Sequence, residues 1–195
     1  MKRSFMFICA AALLLTGCGA SADEASAQLF AMDTVMQLDA YGHQVKQAVS
    51  DAEETIQALE ARLSRTREDS LVSVLNQNGA AQDLSAEEQA LLSEALTFRD
   101  ATGGAFDITI APVMDAWGFT GDSYRVPAQD ELDALLENVN SDEIRLSGSS
   151  VTLGAGQAID LGGIAKGYTS DCVEAVVREN KIESGKISLG GNVFV

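Results

Sequence analysis

The sequence predicts a mixed domain of strands and helices, of the α+β or α/β class. Two observations carry this: apolar residues recur at three and four positions in some stretches and alternate at period two in others. A third is composition, since 195 residues with 46% hydrophobic and 22% charged content suffice for one globular core. Phe30 to Tyr41 places Met36, Leu38 and Ala40 at period two before Gly42 and is expected to be a strand. From Val45, the set Val49, Ala52, Ile56, Leu59 and Leu63 gives an amphipathic helix of about five turns. Ser70 opens a short helix through Leu71, Val74 and Leu75 that Asn78-Gly79 stops. Ser85-Ala86-Glu87-Glu88 is a capping box, so a further helix runs to about Ala101, ahead of Gly103-Gly104. Pro127 precedes a helix from Gln129 to Asn138, whose acidic stretch through Glu143 is most simply a solvated face. Ile144 to Leu146 and Val151 to Leu153 flank a Ser-Gly-Ser-Ser turn as a hairpin. Ala165 to Asn180 is helical, with Cys172 on its apolar side, and the strands Lys186 to Leu189 and Asn192 to Val195 follow.

Charge and residue usage exclude several functions. Thirteen basic against 29 acidic residues give a net charge of −16, which repels a phosphate backbone and argues against nucleic-acid binding. One histidine, His43, and three scattered cysteines cannot build an imidazole or C-x-x-C metal site, so any metal must be held by oxygen. No G-x-S-x-G occurs, which leaves serine-nucleophile chemistry without its motif.

Lys2 and Arg3 precede the apolar run Phe5 to Leu15, too short to span a bilayer and of the right length for a secretory signal. Leu15-Thr16-Gly17-Cys18 resembles the lipobox of bacterial lipoproteins, in which the cysteine is acylated after cleavage. The expected organisation is therefore a signal over residues 1–17 and a polar tether over 18–28, with a domain over 29–195. The protein is expected to be lipid-anchored at Cys18 on the exported face of a bacterial membrane.

Three Gly-Gly segments suggest a long ligand laid across backbone. Thr102-Gly103-Gly104-Ala105-Phe106-Asp107 joins a helix to an apolar segment, and Ser188-Leu189-Gly190-Gly191-Asn192 follows a strand. Between them, Asp160-Leu161-Gly162-Gly163-Ile164-Ala165-Lys166-Gly167 sets an acid, two glycines and a lysine at a helix entry, which suits a phosphate or pyrophosphate. Its spacing is neither the P-loop nor the Rossmann fingerprint.

Five stretches together resemble the ApbE family of flavin transferases. They are Ala31-Met32-Asp33-Thr34; Leu63-Ser64-Arg65-Thr66 with Asp69-Ser70 and Asn76; Gly103 to Asp107 continuing to Trp117-Gly118-Phe119; Asp160 to Tyr168; and Ser188 to Asn192. The resemblance implies an α+β, T-fold-like domain that takes FMN from FAD, with Mg²⁺ assisting, and links it as a phosphoester to a threonine or serine of a target protein, releasing AMP. It further implies that Met32, Thr66, Ala105, Phe106, Asp107, Asp160 and Lys166 contact FAD and that Gly163 offers its carbonyl to the metal. Acceptors would be exported flavoprotein subunits of membrane redox complexes. Hydrolysis of FAD to FMN and AMP, or flavin binding without catalysis, are the alternatives. Two positions depart from the family pattern: Thr66 stands where members put an aromatic, and Asp33 where many have glycine. The remaining metal ligands of the family fall beyond Val195, so the domain is expected to be incomplete at that end.

Overall fold

The computed structural model describes residues 23–121 and 123–195. The first two strands, β1 (Glu24–Ala31) and β2 (Thr34–Tyr41), form an antiparallel hairpin in full register from Glu24↔Tyr41 to Ala31↔Thr34. Three helices follow, α1 (Val45–Leu63), α2 (Leu71–Asn78) and α3 (Ala86–Ala101), with the two-residue strand β3 (Ala80–Ala81) between the last two. A 3₁₀ turn, Ile108–Ile110, leads into α4 (Ala111–Trp117), and α5 (Gln129–Leu136) comes after a loop. The short hairpin of β4 (Arg145–Ser147) and β5 (Ser150–Thr152) precedes α6 (Ala165–Glu179), β6 (Ser184–Leu189) and β7 (Asn192–Phe194).

The strands make two antiparallel sheets, one in the order β1-β2-β6-β7 and one in the order β3-β5-β4. With no parallel pairs among the described residues and the helices gathered against the sheets, the α+β expectation holds. One face of the larger sheet is covered by α1 and α6. Met36 and Leu38 of β2 and Ile187 and Leu189 of β6 pack there against Ala52 and Ile56 of α1 and Val173 of α6. A second core lies between α2, α3 and the small sheet, built on Val72, Leu75, Leu91, Leu92, Val151, Ile159 and Leu161. Each fully buried leucine or isoleucine contributes about 1.5–3 kcal/mol, so the two cores dominate stability.

The five expected helices match the apolar spacing, and the ends of α2 and α3 match the cap signals. Ser70 accepts a hydrogen bond from the Ser73 N–H, and Ser85 with Glu88 completes the capping box of α3. Gly79, at φ 68°, ends α2 in the left-handed region.

Three expectations are corrected. The strand expected from Phe30 to Tyr41 is two strands, because Met32 and Asp33 adopt φ 50° and 59° and turn the chain. The tether expected through Gln28 gives way to β1 from Glu24 onward. Ala25 and Ala27 alternate inward with Leu29 and pack beside Ala40, Val45 and Val49, where small side chains fit under the N-terminal end of α1. The segment after Asp107, expected only to be apolar, forms α4. The signal, Cys18 and the tether as far as residue 22 lie outside the described residues. No helix among the described residues is long and apolar enough to cross a membrane.

Candidate functional site

The site is built around the turn from Ile159 into α6. Asn76, near the end of α2, donates its amide to the Ile159 carbonyl at 2.9 Å and accepts the Ile159 N–H at 2.7 Å. The Asp160 N–H then bonds the Ile108 carbonyl at 2.8 Å, tying the turn to the 3₁₀ segment. Asp160 Oδ1 accepts the Gly162 N–H at 2.7 Å, which folds the two glycines back toward the helix. Ile164 and Ala165 N–H groups bond the Leu161 carbonyl, and no side chain caps α6. The next two N–H groups, of Lys166 and Gly167, have no side-chain partner among the described residues, the arrangement that favours an anion. Lys166 stands in this first turn, half-buried and without an ion pair among the described residues.

Several of the expected residues converge on this turn. A Cβ on Gly163 would lie 3.0 Å from Phe106 Cε2, so the Phe106 ring rests on the Gly163 backbone. The ring is also set edge-on to Phe98, centroids 6.3 Å apart. Met32 reaches α6 from the hairpin turn: its Sδ accepts the Thr169 hydroxyl at 3.7 Å, while its N–H is held by Glu60 at 2.9 Å. Ala105 is exposed beside Phe106. Thr66 is exposed on the loop after α1, a loop fixed from below by buried Ser70 and Ser73, whose hydroxyls donate to the Ser64 and Arg65 carbonyls.

Asp107 is placed differently from its neighbours. Its Oδ1 accepts the Thr109 N–H at 2.8 Å, the Thr109 hydroxyl at 2.6 Å and the Ser141 hydroxyl at 2.5 Å, and Oδ2 accepts the Ser141 N–H at 3.0 Å. Burial alone would raise its pKa, yet these donors from Ser141 and Thr109 prevail and hold it below the usual carboxylate value. In this state the side chain caps the 3₁₀ turn and anchors residue 141.

Arg65 and Asp115 meet beside this turn, a contact that sequence reasoning missed. Arg65 donates from Nη1 to Asp160 at 3.1 Å and from Nη2 to both Asp115 oxygens at 2.9 and 2.8 Å. The ion pairs span 95 and 50 positions, and such distances leave no pattern in a sequence. The only available signal was a cation inside the Leu63-Ser64-Arg65-Thr66 stretch. Beyond Asp115, Trp117 and Phe119 stack at 6.0 Å and 3°.

Cys172 is half-buried rather than fully enclosed, and burial pushes its thiol pKa up. Beside it, Tyr168 is pushed up to about 12 by burial first, and both groups are inert near neutrality. The third Gly-Gly pair is explained by the β6–β7 turn, with φ 60° and 105° at Gly190 and Gly191. It still borders the site, since a Cβ on Gly190 would strike Thr34 at 2.6 Å, beside the Met32 turn. Two cavities, of about 190 Å³ behind β6 and about 360 Å³ between α1 and α3, contain none of the expected FAD contacts.

A metal has little to hold it here. No group of three His, Cys, Asp or Glu residues stands together among the described residues, and both Asp160 oxygens are engaged. Of the described residues the resemblance offers a magnesium ion the Gly163 carbonyl alone, so most of its oxygen shell would have to come from water and phosphate oxygens.

Residues 32–195 match the sequence profile of the ApbE family. The FAD:protein FMN transferase of Treponema pallidum (strain Nichols) is 29% identical over 162 residues, covering 77% of this chain and 44% of that protein. That of Vibrio cholerae (O395) is 25% identical over 201 residues, covering 98% of this chain and 60% of its own length. The chain thus spans roughly half the length of these relatives. The crystal structure of the ApbE protein of Thermotoga maritima superposes with a TM-score of 0.81 at 26% identity, over 88% of this chain and 58% of that one. The flavin transferase ApbE of Vibrio cholerae shares the fold, with a TM-score of 0.78 at 23% identity over 88% and 59% of the two chains.

Proposed function

The chain belongs to the ApbE family, and from that premise we propose that it serves the transfer of FMN from FAD to a threonine or serine hydroxyl of an exported flavoprotein. The observation that carries the reading is the contact of Phe106 with the Gly163 backbone, which sets the Ala105-Phe106-Asp107 segment against the anion-favouring turn ending at Lys166. A dinucleotide lying there would put its pyrophosphate at the α6 entry and an aromatic ring system near Phe106 and Met32.

In the reaction the acceptor hydroxyl oxygen forms a new bond to the FMN phosphorus. The anhydride bond to AMP breaks, AMP leaves with the bridging oxygen, and the hydroxyl proton is released to water. The work of this chain is positioning and charge. Lys166 and the first-turn N–H groups of α6 compensate the diphosphate, and the Asn76-held turn fixes where it sits. The reading includes Mg²⁺, which when bound would neutralise charge developing on the phosphate oxygens. The Gly163 carbonyl is the one group of the described residues that would face that ion.

Anchoring through Cys18 on the exported side of a bacterial membrane belongs to the same proposal, supported by the lipobox-like Leu15-Thr16-Gly17-Cys18.

The test is in-gel flavin fluorescence of a threonine-bearing acceptor domain incubated with the chain, FAD and Mg²⁺, with an EDTA control. The expected result is a metal-dependent fluorescent acceptor that Asp160→Ala and Lys166→Ala abolish. AMP release without a fluorescent band would establish a hydrolase instead, and full activity of either variant would overturn the site.

A further inference from the structure

Arg65 is bracketed by two carboxylates that differ in how firmly they are held. Asp160 is 14% exposed at its side chain and fixed by the Gly162 N–H and the backbone bond to Ile108. Asp115 is 49% exposed, and its one other side-chain partner is the Thr120 hydroxyl. The pairing with Asp115 is also geometrically incomplete. Both of its oxygens fall on the single Nη2, while Nε is buried with no hydrogen-bond partner among the described residues. A well-matched carboxylate would take two guanidinium nitrogens in parallel.

We propose that Arg65 is a diphosphate receptor and that Asp115 occupies it in the absence of ligand. This rests on the FAD reading for the identity of the natural ligand. Asp160 keeps the guanidinium beside the turn that carries Lys166, so one short segment ties together two cations in a chain of net charge −16. Such a pair is where an anion can be held in an otherwise repelling field. A diphosphate presents more oxygens, and more negative charge, than a single carboxylate. It displaces the solvent-screened Asp115 from Nη2 while the enclosed contact to Asp160 remains. Asp115 then competes with the ligand, and the apparent affinity is lowered by the fraction of Arg65 it occupies. Release of Asp115 also frees Thr120 and the segment next to the Trp117–Phe119 stack, coupling anion binding to that loop.

The experiment measures binding of inorganic pyrophosphate and, separately, FAD to the full chain by titration calorimetry at low and moderate salt. Asp115→Asn, which keeps shape and removes charge, is expected to tighten pyrophosphate binding about three- to tenfold. Arg65→Gln is expected to weaken it at least about tenfold, and the double variant is expected to show no gain from Asp115→Asn. Arg65→Lys, which retains the charge, serves where Arg65→Gln lowers the melting temperature, and there the gain from Asp115→Asn shrinks. Unchanged or weaker binding in Asp115→Asn overturns the proposal, as does a gain that persists in the double variant. Pyrophosphate bound while FAD is not would overturn the FAD reading and leave the receptor standing. Pyrophosphate bound by neither the wild type nor Asp115→Asn would overturn the receptor, whatever FAD does.

Discussion

Asn76 and Ile159 pair as two strand residues would, through a side-chain amide on one side and a peptide group on the other. The donor distance is 2.9 Å, the acceptor distance 2.7 Å, and 83 positions separate the two. The contact sets the start of the turn on which Asp160, Gly163 and Lys166 ride. Asn76→Asp keeps the shape but replaces a donor by a carboxylate facing the Ile159 carbonyl. It is expected to cost about 1–3 kcal/mol in urea denaturation and to weaken FAD binding more than Asn76→Gln does. Unchanged FAD affinity in Asn76→Asp would show that the turn is set by its other bonds.

Asp107→Asn is expected to cost about 2–4 kcal/mol near neutral pH, because it upsets four hydrogen bonds to Thr109 and Ser141 in an enclosed place. The native pKa of Asp107 is lowered, so its contribution is complete above the usual carboxylate value near 4 and is lost as pH falls through the native value. The stability gap between wild type and Asp107→Asn should therefore narrow in acid. A gap constant from pH 7 to pH 2 would contradict the assignment of the charge.

Gly163→Ala places a methyl 3.0 Å from the Phe106 ring, which also meets Phe98 edge-on. The ring must shift, at about 1 kcal/mol, since Phe106 is only half enclosed. The expected signature is a small loss in melting temperature with a loss of about tenfold in FAD affinity, read by flavin fluorescence. Equal, small effects on both would remove this contact from the binding surface.

The hairpin turn at Met32 and Asp33 holds two non-glycine residues at positive φ. Asp33→Gly relieves that conformation at an exposed position and is expected to raise stability by up to about 1 kcal/mol. Thermal unfolding of the variant checks it, and a lower melting temperature would show that the Asp33 side chain contributes something the backbone does not.

Five of the six helices were legible because they carry local signals such as apolar spacing, a serine cap, a capping box or a closing glycine; α4 was not. The hairpin was legible only in part. Its turn has no Asn-Gly or Gly-Gly pair, so nothing local marked the break at Met32-Asp33, and the alanines of β1 looked like linker until Val45 and Val49 covered them. In the site, the segments announced themselves as motifs, and Phe106 does lie against Gly163. What no local pattern could show was the inward turn of Asp107 toward Ser141 or the bridge of Arg65 to Asp115 and Asp160. Both depend on which distant donor arrives, and that is decided by packing.

The pairing of β2 with β6 joins segments about 150 residues apart, a loop whose closure grows slowly costlier with length but cannot begin until both ends exist. The β1–β2 hairpin can zip by itself within microseconds. Its inner edge then waits, unpaired, until about 150 further residues have emerged, and Met36 and Leu38 wait with it. Sheet and ligand turn are completed late in the order of assembly, and the vulnerable species is a well-formed hairpin in search of its third strand.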